Sequence, residues 1–247
     1  MTTRGALATA LLVLALAGCT SGHAEPPASP SPTAAPTATV TPQVNSDDPA
    51  VVRATGVPLT SGLVTVTVAA PALGVVPDVD SSARLTVPGG EARLAAPEGM
   101  TITALADGSG VVRDAGGAFV AGLTTEPWGV HLEQVGPEVV RLTTDDAGPA
   151  GAWFTSVVVD SATWGHAEGG TSLAVTPSGW ARAGSLAAQE GLWAQVVAQA
   201  PDADVPGMRA QLECHELGAP DKETWNLEPW RPEVDALEMI KDRCNPE

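Results

Sequence analysis

Alternation of apolar and polar residues dominates the chain from residue 51 to residue 159, with glycine-rich turns between the alternating segments. In the segment LVTVTV, the side chains of Val64, Val66 and Val68 fall on one side of an extended chain. The segment ADGSG at residues 106–110 supplies glycines for the positive φ that tight hairpin turns need. The pattern predicts a β-rich N-terminal domain at 51–159, built as an antiparallel sandwich or a barrel-like sheet.

The pattern changes in residues 160–247, where two strands around a glycine-rich turn precede helical segments. Ser185 is placed to cap a helix that Pro201 ends, and Pro232 stands near the first turn of the last helix. The expected fold class is therefore α+β. It combines the β-rich domain with a small, disulfide-tied α+β domain at the C-terminus.

The first nineteen residues have the layout of an export signal. Arg4 gives a positive start, an apolar stretch too short to span a bilayer follows, and small residues close it. The sequence LAGC, which ends at Cys19, resembles the lipobox of bacterial lipoproteins, in which this cysteine is acylated. We expect a signal peptide at 1–18, then a lipidated Cys19 and a disordered Pro/Thr/Ser/Ala tether over residues 19–50. The alternative is an ordinary secretory signal with an incidental cysteine.

A lipid anchor predicts a location on the extracytoplasmic face of the cell membrane, with the membrane as a partner. The formal net charge is −17, from 29 acidic and 12 basic residues. This balance argues against binding nucleic acid, because phosphate contacts need clustered lysine and arginine. A cell-wall component or another envelope protein is the expected kind of partner.

The cysteine count favours one disulfide. Of the three cysteines, Cys19 is assigned to lipid, which leaves Cys214 and Cys244. In the oxidising environment outside the cell, two such cysteines near one end of a domain indicate a structural bridge.

The C-terminal segment carries a long signature: C-H, then K-x-x-W-N-L-E-P-W-R-P, then C-N-P. It resembles a family of exported actinobacterial lipoproteins whose C-terminal domain has no assigned function, over roughly the last 85 residues. The matching residues are Cys214, His215, Lys222, Trp225, Asn226, Leu227, Glu228, Trp230, Arg231, Pro232, Cys244, Asn245 and Pro246. The resemblance implies a shared fold and a shared disulfide, and it implies no known chemistry.

His215 is the histidine with convergent polar neighbours in the sequence. It could act as a general base that Glu228 or Glu213 orients, with Lys222 or Arg231 stabilising an anionic intermediate. The alternative is a structural histidine on the partly apolar helix stripe of Met208 and Leu212, hydrogen-bonded to backbone or carboxylate. The sequence has no G-x-S-x-G and no S-x-x-K motif to supply a nucleophile.

Two tryptophans and an arginine could form a stacking platform for a sugar or a peptide, namely Trp225, Trp230 and Arg231. The alternative is that the tryptophans are core and that Glu228 and Arg231 form an internal ion pair. The candidate catalytic or ligand-binding residues are therefore His215, Lys222, Trp225, Asn226, Glu228, Trp230 and Arg231.

No metal site is predicted, because the four histidines are scattered and no H-E-x-x-H motif occurs. The segment DADVPG at residues 202–207 has Pro206 where a calcium loop needs a ligand. His166 and Glu168 could approach the region of these candidate residues, which sequence spacing does not decide. No cofactor is expected.

These observations favour a cell-envelope lipoprotein that displays a non-catalytic binding or interaction module. The alternative is an envelope hydrolase or secreted effector enzyme that uses His215 with Glu228 and Arg231. A solute-binding transport lipoprotein is a third hypothesis, but the alternating strand–helix pattern usual for that class is missing.

Overall fold

The computed structural model describes residues 45–167 and 169–247. The predicted signal peptide, Cys19 and most of the predicted tether lie outside the described residues, as does Glu168. Within the two described ranges, no helix combines the length and the apolar composition needed to cross a membrane.

A short helix, α1 (Pro49–Thr55), precedes the first strand, where the sequence analysis expected tether and strand alone. The Asp48 carboxylate caps it by accepting a hydrogen bond from the Ala50 amide at 2.9 Å. The proline in its first turn has no amide hydrogen to leave unsatisfied. One face of the helix buries Val52 against the neighbouring strands.

Eleven antiparallel strands form two sheets in the β-rich region. Their bounds are β1 (Val57–Ser61), β2 (Val64–Ala69), β3 (Gly74–Pro77), β4 (Ala83–Val87), β5 (Ala92–Ala95), β6 (Thr101–Ala104), β7 (Gly110–Arg113), β8 (Phe119–Glu126), β9 (Val130–Gly136), β10 (Val139–Thr144) and β11 (Ala150–Thr155). The five-stranded sheet has the order β1-β2-β5-β10-β9, and the six-stranded sheet has the order β3-β4-β11-β8-β7-β6. Neither sheet closes on itself.

Both sheets contribute side chains to one buried cluster. Val66 and Val68 from the first sheet lie in this core together with Leu85 and Phe154 from the second. The predicted period of two holds in β2, since these valines are buried and the intervening threonine is not. The predicted β-rich antiparallel region is confirmed.

The C-terminal region adds a three-stranded antiparallel sheet and four helices. Their bounds are β12 (Val159–Ala167), β13 (Gly170–Pro177), α2 (Gly179–Arg182), α3 (Leu186–Gln199), α4 (Met208–Gly218), β14 (Trp225–Leu227) and α5 (Ala236–Lys241). The sheet has the order β12-β13-β14, and a 3-10 turn at Pro201–Ala203 joins α3 to α4. The α+β character predicted for this part of the chain is confirmed.

The cap prediction is confirmed for α3, because the Ser185 hydroxyl accepts a hydrogen bond from the Ala188 amide at 2.9 Å. The start of the last helix was predicted too early. α5 begins at Ala236 with Asp235 as its cap, so Pro232 lies before its first turn. The segment Trp225–Leu227 is the edge strand β14, which the sequence analysis did not predict.

A second core lies between the three-stranded sheet and α3 and α4. The division into domains at 51–159 and 160–247 stays a prediction, because close contacts connect the two parts. A Cβ atom at Gly122 of β8 would lie 2.4 Å from the Trp180 ring, so the absence of a side chain there lets α2 pack directly on the sheet.

Cys214 of α4 and Cys244, just after α5, form a disulfide with their Cα atoms 5.5 Å apart. Both cysteines are buried, and they pack with Met239 and Val234 in a small apolar cluster. The bridge therefore ties α5 and the end of the chain to α4, as the sequence analysis predicted.

Candidate functional site

Helix α4 carries three polar side chains that enter the interior. Gln211, His215 and Glu216 are 0%, 2% and 5% exposed. Met208 and Leu212 share the buried surface of the helix with them, as the predicted apolar stripe requires. The histidine thus lies in the core of the C-terminal region.

His215 is held by the edge strand. Its Nε2 lies 3.1 Å from the carbonyl oxygen of Asn226, and because a carbonyl can only accept, Nε2 carries the proton. Nδ1 is buried, and no described residue bonds to it. Burial lowers the pKa of His215 to about 4, the hydrogen bond to Asn226 opposes the shift, and the charges of Lys222 and Arg231 lower the pKa further. The ring is neutral at pH 7.

Glu228 and Arg231 form an ion pair inside the protein, through Nε of the arginine and Oε2 of the glutamate. The side chains are 1% and 3% exposed. The guanidinium also donates from Nη1 to the carbonyl oxygen of Pro246 at 3.1 Å. Arg231 therefore fastens the end of the chain to the segment that follows β14, and its partners satisfy the buried charge as such a charge requires.

Gln211 fixes the backbone of the same segment. Its Oε1 accepts from the Glu228 amide at 2.9 Å, and its Nε2 donates to the Glu228 carbonyl at 3.0 Å. These two bonds replace the ladder bonds that the chain loses where β14 ends. Sequence analysis did not select Gln211, although it lies three positions before Cys214 of the signature.

Trp225 is core. It is fully buried, and its indole donates to the carbonyl oxygen of Ala219 at 2.9 Å. The Arg182 guanidinium lies 5.7 Å from the ring centroid and donates to the carbonyl oxygens of Pro220 (2.7 Å) and Glu223 (2.8 Å). Arg182 is a second organising residue that sequence analysis missed, because its acceptors are backbone atoms about 40 positions away.

Three of the predicted site residues face solvent instead. Lys222, Asn226 and Trp230 are exposed, and the Trp230 side chain is 47% exposed. The Arg231 guanidinium lies 4.6 Å from the Trp230 ring centroid. The predicted stacking pair of Trp225 and Trp230 is therefore divided between the core and the surface.

Glu216 is a buried acid that the sequence analysis overlooked. No described residue donates a hydrogen bond to either carboxylate oxygen, and the Gln189 side chain approaches without reaching hydrogen-bond geometry. Burial raises the pKa of Glu216 to about 7, with a further rise from the charge of Glu213 and a partial offset from Gln189.

A groove of about 550 Å³ lies beside the disulfide, between the ends of α4 and α5. Leu217 and Ile240 line it and are 74% and 64% exposed. Among the described residues that line it, the charged side chains are Lys222 and Arg243. Of the predicted site residues, Lys222 therefore lies at an open cavity, while His215, Glu228 and Arg231 do not line this groove.

The described part of the chain brings no three histidine, cysteine, aspartate or glutamate side chains together as metal ligands. His166 is an exposed residue of β12, and Glu168 lies outside the described residues.

Residues 159–247 match the family model described as Protein of unknown function (DUF2599). An uncharacterised protein of Mycobacterium tuberculosis is 40% identical in an alignment over 126 residues that covers 48% of this chain and 84% of that protein. An uncharacterised protein of Mycobacterium bovis matches to the same extent. One of Mycobacterium leprae is 42% identical over 65 residues, 25% of this chain and 53% of that protein. No solved structure matches. The chain belongs to the family of these mycobacterial proteins, and its own C-terminal residues match a domain of unknown function.

Proposed function

We propose that this protein is a lipid-anchored protein of the cell envelope whose C-terminal domain is a non-catalytic interaction module. The lipobox pattern at Cys19 and the Pro/Thr/Ser/Ala composition of the following segment support an anchored, displayed position. The disulfide supports an oxidising compartment. The shared core of the two β-rich sheets supports the sandwich arrangement within the displayed part.

One observation carries the non-catalytic part of the proposal. His215, Glu228 and Arg231 are buried, and their polar atoms bond mainly to backbone and to each other. A general base needs to reach a proton on a substrate, and an anion-stabilising arginine needs to reach the anion. These residues instead join α4, the segment after β14 and the end of the chain. Among the residues that the structure describes, no specific contact favours the hydrolase alternative.

The groove beside the disulfide is the surface that we assign to the partner. The exposed side chains of Leu217 and Ile240 give the groove an apolar lining. Lys222 and Arg243 add positive charge to this groove, although the protein as a whole is strongly acidic. This combination suits a segment of an envelope protein that presents an aliphatic side chain next to a carboxylate. The cavity volume of about 550 Å³ is ample for one such side chain.

Photo-crosslinking tests this assignment. The full-length protein, produced in a mycobacterial host, carries a photo-reactive amino acid at position 217 or at position 240. Position 63 is the matched control, because Leu63 is an even more exposed aliphatic residue in a turn far along the chain. We expect the same partner, identified by mass spectrometry, from positions 217 and 240 and none from position 63.

The charge part of the proposal has its own test. Lys222→Glu should abolish the crosslink from position 217 while leaving the amount of protein in the membrane unchanged. Equal capture at position 63, or an undiminished crosslink in the Lys222→Glu variant, contradicts the proposal.

A further inference from the structure

Trp128 is the most exposed tryptophan of the described residues. Its relative exposure is 101%, so both faces of the indole are open to solvent. It lies in the turn Pro127–Gly129 between β8 and β9. A fully exposed indole is unusual, because tryptophan is highly buried in most folded proteins.

The turn that presents this indole is fixed by backbone hydrogen bonds. The Val130 amide donates to the Pro127 carbonyl at 3.1 Å, and the Asp145 amide donates to the Gly129 carbonyl at 3.0 Å. Gly129 has a φ of 89°, a conformation that favours glycine. The ring is therefore carried by a defined turn, so that little backbone freedom is lost when a ligand binds to it.

A cleft of about 500 Å³ opens beside the ring. Its apolar lining residues include Leu105, Pro127 and Leu132, and its polar lining residues include His131 and Asp145. Its volume lies within the usual range for small-molecule sites, roughly 300–1,000 Å³.

The segment around Gly108 shapes the cleft. A Cβ atom at this position would lie 2.8 Å from the Cβ atom of His131, so only a glycine lets the two segments approach this closely. The Leu132 amide donates to the Gly108 carbonyl at 3.0 Å. The Asp107 carboxylate is occupied by the Ser109 hydroxyl (2.6 Å) and by the Leu186 amide (2.7 Å), so it stabilises the wall of the cleft.

His131 and Asp145, by contrast, have hydrogen-bonding capacity to offer a ligand. The His131 Nδ1 atom is 3.9 Å from Asp145 Oδ1, and its Nε2 atom is 3.6 Å from Glu133 Oε1. Both distances are longer than a hydrogen bond. A hydroxyl group between Nδ1 and the Asp145 carboxylate could donate to one and accept from the other.

We propose that this cleft binds a neutral saccharide, whose apolar C–H face stacks on Trp128 and whose hydroxyl groups bond to His131 and Asp145. A sugar ring has one apolar face and a rim of hydroxyls, which matches an exposed indole next to a donor–acceptor pair. Anionic sugars are disfavoured, because Asp107 and Asp145 both line the cleft of a chain with net charge −17. The site lies in the β-rich region and is separate from the groove assigned to a protein partner.

A cationic ligand is the competing chemistry, since carboxylates and an indole also attract ammonium groups. The accessible apolar residues Leu105 and Pro127 favour the saccharide, because a strongly hydrated ammonium gains nothing from contact with them. The experiment includes a cationic probe for this reason.

Titration calorimetry tests the proposal on the full-length protein in a detergent without a sugar headgroup. The probes are the tetrasaccharides of N-acetylglucosamine, of β-1,4-linked glucose and of α-1,4-linked glucose, and the cation tetramethylammonium. We expect at least one tetrasaccharide to bind. Trp128→Ala should weaken it at least tenfold, and His131→Ala and Asp145→Asn should weaken it at least threefold each.

Leu63→Ala is the matched control, because it removes an equally exposed apolar side chain from another turn of the same region. It should leave the affinity unchanged, and all variants should keep the Tm of the parent protein. The proposal is overturned if no tetrasaccharide binds, if Trp128→Ala binds as tightly as the parent, or if tetramethylammonium alone binds in a Trp128-dependent manner.

Discussion

The Nε2 atom of His215 donates a hydrogen bond to the backbone carbonyl oxygen of Asn226 across 3.1 Å, which joins α4 to β14. Sequence analysis considered His215 as a general base, but its protonated nitrogen is used in a hydrogen bond to the backbone. The other nitrogen is buried, and no described residue bonds to it. Protonation would place a charge there without a partner, close to Lys222 and Arg231.

The first prediction concerns the stability contributed by neutral His215. Its pKa is lowered from 6.5 to about 4 in the folded protein, so the unfolded chain binds the proton more readily. The contribution of neutral His215 to the free energy of unfolding is complete above pH 6.5. It is lost as the pH falls towards 4, and the loss is at most about 3 kcal/mol. Denaturant unfolding at several pH values should show that His215→Gln removes this acid-side loss.

The exposed His166 provides the control for that comparison. His166→Gln should leave the pH profile of the free energy of unfolding as it is in the parent. A His215→Gln profile parallel to the parent between pH 4 and pH 7 would mean that the imidazole is not buried as described.

Glu216 is predicted to act in the opposite direction. Its pKa is raised from 4.5 to about 7, so the folded protein holds the proton more tightly than the unfolded chain does. The contribution of protonated Glu216 to the free energy of unfolding is therefore complete below pH 4.5. It is lost as the pH rises through 7, and the loss is at most about 3 kcal/mol. Glu216→Gln should therefore stabilise the protein at pH 8 and leave it unchanged at pH 4.

The same denaturation experiment at pH 8 and pH 4 measures this effect. Glu233→Gln changes an exposed carboxylate and serves as the control, with little effect expected at either pH. A loss of stability at pH 8 on Glu216→Gln would show that the carboxylate has a favourable ionic role.

The disulfide is predicted to stabilise the C-terminal region substantially. The bridge closes a loop with a sequence separation of 30. Loop-closure entropy gives roughly 3–4 kcal/mol for a loop of this length. The double variant Cys214→Ser/Cys244→Ser should lose that much in denaturant unfolding, and a reducing agent should destabilise only the parent. Identical midpoints for reduced and oxidised parent protein would contradict the bridge.

Lipidation of Cys19 is a separate prediction. In a mycobacterial host, an alkyne analogue of palmitate should label the parent protein and direct it to the membrane fraction. Cys19→Ser should abolish both the label and the membrane association, whereas Cys214→Ser should abolish neither. A parent protein that takes up no label would favour the alternative of a secretory signal with an incidental cysteine, and labelling that persists in Cys19→Ser would contradict acylation at Cys19.

Local patterns predicted much of the fold. The strand alternation, the Ser185 cap and the Cys214–Cys244 bridge depend on residues that are near one another in sequence, or on the identity of rare residues. The edge strand at Trp225–Leu227 was missed because three residues are too short to show a period. α1 was missed because its seven residues straddle the predicted boundary between the tether and the β-rich domain and are too few to show a helical period.

The fold divides the predicted site residues between the interior and the surface. Sequence spacing placed Glu228 three positions before Arg231, and the ion pair between them is present. It could not show that the pair is buried, since burial depends on α4 and on the chain end folding over it. Trp128 passed unnoticed for the same reason, because its full exposure is a property of the tertiary fold.

The central claim is that Arg231 and its partners are scaffold and that binding takes place on outer surfaces. Denaturant unfolding of Arg231→Leu, compared with Lys222→Gln, tests it most directly. Removing the guanidinium leaves Glu228 buried without its charged partner, so we predict a loss of about 3–5 kcal/mol. The exposed Lys222→Gln should change stability by less than about 0.5 kcal/mol. An Arg231→Leu protein that unfolds at the parent midpoint yet no longer crosslinks its partner from position 217 would contradict the account.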